Sequence, residues 1–237
     1  MEMLNYEMRS LKIIRWITLS AGFAGPLFYC IFTVIAIQNF PGTFSATHYY
    51  LSVLGNLNKN PEGAIFFNLG VMVSGLSLLV FYVGFVLWNA LREKSKILWG
   101  VLIFGSMNGF SIFMSGVYPE VPDYQKHFTW SLLIFIAFIP VLILISLYLK
   151  RYSGLNKVIS YSGFVLAAYN LIFVIYTLTE GTTSGALLEW ISVFSYIGWI
   201  MLYVINLISI VERRDELLKS YSYRRESTGL ALAALID

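Results

Sequence analysis

The sequence predicts an all-α, polytopic membrane protein, a bundle of six transmembrane helices with both termini cytoplasmic. Three observations predict it. The 237-residue chain is 58% hydrophobic and only 12% charged, far from soluble-domain norms. Six apolar runs reach the length of about 20 residues that a bilayer crossing needs, and five of them hold no charged residue. Lysine and arginine, finally, fall almost entirely on one side of those runs. Backbone polar groups cannot stay unpaired in lipid, so continuous apolar runs of this length are helices; barrel strands would be shorter and would alternate.

The first run, 16–38, follows Arg9, Lys12 and Arg15. It is too long for the apolar core of a signal peptide and lacks a clear small-x-small end, so it reads as a retained span. The lone cysteine, Cys30, lies inside it and rules out an intramolecular disulfide. Segment 40–63 is long for a helix connection. Ser45, His48 and Ser52 recur there at helical spacing, with Phe44, Leu51 and Leu54 beside them. The spacing predicts a short amphipathic helix over 44–55 at the outer surface, ending at Gly55. Asn60-Pro61-Glu62 reads as cap, first position and first-turn acid of the second span, 64–91.

A short basic turn, 92–96, leads to the third span, 97–117. Pro119 and Pro122 forbid a continuous helix through the next loop, and Asp123 is placed to cap the fourth span, 128–149. A second basic turn precedes the fifth span, 158–178. The Gly/Thr/Ser-rich loop after it offers Ser184 as the cap of the sixth, 187–211. The membrane domain thus covers 1–211, and 212–237 forms a cytoplasmic tail, read as a helical extension that frays.

Orientation follows from the basic residues. Fourteen Lys and Arg lie in the termini and the two basic turns, against Lys59 and Lys126 alone on the other side. With the acids included the two faces carry +6 and −3, which the net charge of +3 conceals. The protein is therefore expected in the cell membrane, N- and C-termini inside. The basic face is a topology signal with some attraction for anionic lipid, and not a nucleic-acid surface.

No Asp, Glu, Lys or Arg stands mid-span, where ion-coupled transporters keep such groups, so transport of a small solute is disfavoured. Mid-span polar residues (Asn108, Asn170, Ser74, Ser106, Ser111, Tyr169) read as interhelical hydrogen-bond formers, and Gly105-x-x-x-Gly109 as a close-packing face within the bundle. Chemistry concentrates at the outer end. His48, Ser52, Glu120, Asp123, His127 and Ser131 are the candidate catalytic residues, with Asn68 and Ser115 as ligand contacts. Asp123, His127 and Ser131 follow one another at four-residue steps, a carboxylate–histidine–serine stripe that could aim a general base at a hydroxyl. His48, His127 and Asp123 or Glu120 are alternatively of the types that bind zinc; the plainer reading is a site without cofactor. Plainer readings exist for each residue: a carboxylate there is often a cap, and a histidine a half-solvated aromatic. Glu180 and Glu189 read as surface charge, and Trp16, Trp88, Trp99, Trp130 and Trp190 as interfacial belts.

Three segments together resemble domain-of-unknown-function family 998, a group of six-span archaeal and bacterial membrane proteins. They are His48-Tyr49-Tyr50-Leu51-Ser52-Val53-Leu54-Gly55; Asn60-Pro61 with Phe67-Asn68-Leu69-Gly70 and Gly75; and Ser115-Gly116-Val117-Tyr118-Pro119-Glu120 followed by His127 and Ser131. Val53 stands where that family usually has Asp; if that Asp is catalytic, this member either lacks the activity or uses another acid. The resemblance carries no reaction. It extends distantly to a eukaryotic group of GPI-lipid remodellers and autophagy modulators, an analogy that points toward lipids. Two functions remain open: a lipid-binding or lipid-modifying, hydrolase-like protein with its site at the outer face, and a non-catalytic membrane protein binding lipid or a partner. Membrane lipids are the expected partners; oligomeric state is not legible.

Overall fold

In the computed structural model the backbone is described for residues 2–90, 95–151, 156–180 and 185–233, and side chains for those between 10 and 212. Every regular element among them is helical: α1 (Glu2–Gln38), a single 3₁₀ turn (Leu51–Gly55), α2 (Ala64–Ala90), α3 (Lys96–Val117), α4 (Tyr124–Lys150), α5 (Lys157–Glu180) and α6 (Ala186–Ala233). Six of these helices are long and apolar enough to cross a membrane. Even α3, at 22 residues, extends about 33 Å, enough for the hydrocarbon core. Large apolar side chains such as Ile103, Val165 and Ile172 point outward from the bundle, as a lipid solvent requires. This is an integral, multi-pass membrane protein. Ser184, Arg92 and Lys94 lie outside the described residues.

Sequence-adjacent helices pack in turn, α1 on α2, α2 on α3, α3 on α4 and α4 on α5, and α6 closes the bundle against α1 and α5. The chain passes up and down, so both termini lie at one end; the opposite, loop-rich end is termed distal here. Helix association in lipid gains little from apolar burial and depends on close approach and hydrogen bonds. The α2–α3 seam shows the first. A methyl group on Gly75 would sit 2.3 Å from the Phe113 backbone nitrogen, and one on Gly109 would sit 2.8 Å from that of Leu79. The Gly105/Gly109 pair packs internally, as its spacing suggests.

Hydrogen bonds supply the second. Asn108 donates to the Ile134 carbonyl (3.0 Å) and accepts from the Tyr196 hydroxyl (3.0 Å), which also bonds Tyr82. Ser192 donates to Asn170 (2.5 Å), Ser74 to the Gly25 carbonyl (3.0 Å), and Trp199 to the Ile159 carbonyl (2.8 Å). These join α1 to α2, α2 to α6, α3 to α4 and α6, and α5 to α6. Ser111 is fully buried among them, and its hydroxyl has no partner. Trp88 departs from the expected belt: at 4% exposure it is core, because it lies on the inward face of α2, whereas Trp99 is 67% exposed.

Gly109→Leu should therefore push α2 and α3 apart and lower stability by about 1–3 kcal/mol. A thermal melt in mild detergent will show the fall; the same change at Gly198, which faces open space, should leave the melt unchanged.

Candidate functional site

The distal loop between α1 and α2 is not the single helix expected over 44–55. Residues 46–48 form a turn, and only Leu51–Gly55 winds, as a 3₁₀ turn. The reason is local competition. The Ser45 carbonyl accepts from both His48 and Tyr49 nitrogens (3.1 and 2.9 Å), while the Ser45 and Thr47 hydroxyls hold the His48 Nδ1 at 3.1 and 2.9 Å. His48 and Ser52 thus never share a helix face. Gly55 does end the element, though not through left-handed backbone: a side chain there would strike Asn68, whose amide donates to the Gly55 carbonyl (3.0 Å).

Asn60 fixes the loop to the bundle. Fully buried, its amide nitrogen donates to the carbonyls of Ala36 (3.2 Å) and Leu54 (2.8 Å), and its oxygen accepts from Gly63 (3.2 Å). It caps the turn that enters α2, which begins at Ala64. Asn56 turns its oxygen to the Asn58 and Lys59 nitrogens and donates to Glu120 at 3.0 Å, tying this loop to the one before α4. From α6, Glu189 accepts the Leu51 N–H (2.6 Å), Gly185 donates to the Tyr50 hydroxyl (2.7 Å), and Trp190 donates to the Tyr49 carbonyl (2.9 Å). Partial burial raises the Tyr50 phenol above its usual range, so it stays protonated. Phe44 stacks on Tyr49 and packs on Trp190, making Trp190 a structural pin as well as a boundary residue.

Beneath this roof lie two connected spaces. The wider, about 640 Å³, is bounded by the loop, α4, α5 and the start of α6; His48, Ser52, Val53, Glu120, His127, Ser131 and Glu189 line it. The narrower, about 90 Å³, is an apolar crevice running inward between Val71, Leu78, Ile112, Ile134, Phe138 and Ile197, past Ser115 to Tyr29 and Tyr196. Ser52, His127, Ser131, Phe135 and Glu189 line both and form the throat between them.

Of the expected residues, His48, Ser52, Glu120, His127 and Ser131 face one cavity, and Ser115 lines the crevice while donating to the Ile112 carbonyl (2.8 Å). Asn68 and Asp123 line neither. Asp123 caps α4 by accepting the Lys126 N–H (3.2 Å) and pairs with the Lys126 ammonium (2.6 Å); those contacts hold its carboxyl below the ordinary range. The stripe of three is therefore a pair. His127 donates from Nδ1 to the Tyr118 carbonyl (2.8 Å), so in the neutral ring Nε2 is the acceptor, with Ser131 Oγ 3.3 Å away. A backbone carbonyl does the orienting that Asp123 was expected to do. Among the described residues no group of three or more His, Cys, Asp and Glu side chains is arranged to hold a metal, so His48, His127 and Asp123 do not assemble the zinc site they suggest.

Glu189 was read as surface charge; it is a throat residue instead. Its place in the first turn of the sixth span, with no basic residue near it in sequence, was the available signal. Val53 lines the wider space, so an acid at that position would face the same cavity.

Residues 23–206, most of the chain, match the family described as a protein of unknown function (DUF998), and the chain belongs to it. No curated protein and no solved structure matches it.

Replacing Asn60 with Ala should collapse the distal end: each backbone group left unpaired costs about 1–3 kcal/mol. Asn60→Asp should be no better, since a carboxylate cannot donate to two carbonyls. A thermal melt, with loss of protease protection in 40–60, is the measurement.

Proposed function

We propose that this member of the DUF998 family holds a membrane lipid at its distal end, head group in the wider cavity and part of one chain in the crevice. The observation that carries the reading is the joined pair of spaces: a roomy one with polar walls opening through a shared throat into an apolar one. That sequence of environments matches an amphiphile. The crevice has room for roughly half a dozen methylene-sized groups, so it would grip a chain segment and not a whole acyl tail. The distal end is assigned to the outer face of the cell membrane, with both termini cytoplasmic, because fourteen of the sixteen Lys and Arg lie toward the opposite end.

A hydrolytic role is the second reading, and His127 with Ser131 favours it. With its Nδ1–H held by Tyr118, the His127 Nε2 lone pair would take the Ser131 proton as that oxygen attacks an ester carbonyl, return it to the alcohol that departs as the ester bond breaks, and then deprotonate the water that releases the acyl group from Ser131 as a carboxylic acid. Asn56 and Lys59 hold Glu120 at the cavity wall, where its role is to order the loops.

A phospholipid carrying a diazirine on one chain, photolysed in nanodiscs, tests binding. Label is expected on crevice residues such as Ile112, Ile134 and Phe138. Val71→Phe, which fills the crevice, should reduce that label about fivefold or more, equivalent to about 1 kcal/mol. Label spread over lipid-facing Val165 and Ile172, unchanged in the variant, defeats the reading. For hydrolysis, a fluorophosphonate should modify Ser131 in the wild type and fail to do so in His127→Ala; no modification of Ser131 leaves binding as the only role.

A further inference from the structure

The wider cavity has an unbalanced charge at its throat, and that imbalance bears on the head group it takes. Three formally charged side chains line the space: Lys59, Glu120 and Glu189. Lys59 and Glu120 stand 3.9 Å apart and offset one another. Among the described residues Glu189 forms no salt bridge; its Oε2 accepts the Leu51 N–H, and the residue lines the cavity. A carboxylate at this depth is costly unless something pairs with it. The same space is lined by Tyr124 and Phe128, which stack on one another, and by Phe135 and Phe173, which pack edge to face. A free carboxylate inside an aromatic enclosure is the arrangement that recognises a substituted ammonium, through ion pairing on one side and cation–π contact on the others.

We propose that the head group bound in the wider cavity is an ammonium, held by Glu189 and the surrounding rings. The proposal rests on the lipid-binding reading above and names the lipid's chemistry. Phosphate alone is a poor fit, because the single lysine of the cavity is engaged by Glu120. The Glu189 carboxyl and the aromatic residues lining the same space suit a quaternary or primary amine borne on a diacyl chain pair.

The test is competition against the diazirine phospholipid, using the full chain in nanodiscs. Three competitors share dioleoyl chains and differ only at the head: trimethylammonium-propane, glycerol and phosphatidic acid. Choline without chains is the fourth. The ammonium lipid is expected to displace crevice label at about tenfold lower mole fraction than the glycerol or phosphatidic acid lipids, a difference of about 1.4 kcal/mol. Free choline at equal concentration should compete poorly. Glu189→Gln keeps an oxygen to accept the Leu51 N–H, so the fold should persist while the preference falls to about twofold or less, within the scatter of single-contact effects. Glu62→Gln, on an exposed acid outside the cavity, should change nothing. Equal competition by all three lipids, or a preference that survives Glu189→Gln, overturns the ammonium assignment while crevice label still upholds lipid binding. If choline competes as well as the lipid, the ligand is a soluble amine and the lipid part fails. Absence of crevice label altogether defeats both readings together.

Discussion

The distal end of this molecule depends on one buried amide. Where α1 stops and α2 begins, the chain must reverse at the edge of the hydrocarbon layer, and every backbone group freed by the reversal needs a partner. Asn60 provides three of them at once, reaching the end of α1 at Ala36, the 3₁₀ turn at Leu54 and the entry of α2 at Gly63. No smaller set of contacts would hold three elements in one place, because only an amide side chain both donates twice and accepts. Gly63 is part of the same device: a side chain there would lie 2.4 Å from the Asn60 amide nitrogen.

With the turn so held, the rest of the roof follows by contact. Leu51 is brought within reach of Glu189, and Tyr49 and Tyr50 meet α6 through Trp190 and Gly185. Asn56 reaches Glu120 and couples the loop before α2 to the loop before α4. The cavity exists because these bonds suspend the loop over α4, α5 and α6. The polar groups around it divide in two: Asn56, Glu120 and Asn68 spend hydrogen bonds on holding the roof, while His127 and Glu189 stand where the two spaces meet.

How much of this the amino-acid sequence could reveal depends on the range of the interaction. The spans are legible because lipid imposes one rule on every residue of a run, and the cap at Asp123 because a cap is set by its own first turn. The His127–Ser131 pair is legible for the same reason: four residues apart on a helix means neighbours. The turn at 46–48 is not, because side-chain oxygens at Ser45 and Thr47 outbid a helical pattern that the apolar positions do support. Asp123 matched the stripe by spacing, yet Lys126 stands nearer and the cap uses its remaining oxygen. Local sequence could mark Glu189 as an unpaired acid in the first turn of a span, but not its partner, which lies 138 residues earlier in the chain.

The depth of the site is limited by the polar network at the centre of the bundle. Tyr196 lines the inner end of the crevice, and its hydroxyl is already engaged by Asn108 and Tyr82. A polar group driven that far would be desolvated without compensation, at a cost of several kcal/mol; an alkyl chain would lose nothing, having left a medium as apolar as the one it enters. The same absence of mid-span charge would, on the proposed reading, set the apolar end of a lipid inward. On the proposed lipid-binding reading, the head group would sit at the throat lined by Ser52, His127, Ser131 and Glu189, and only alkyl chain would pass below it.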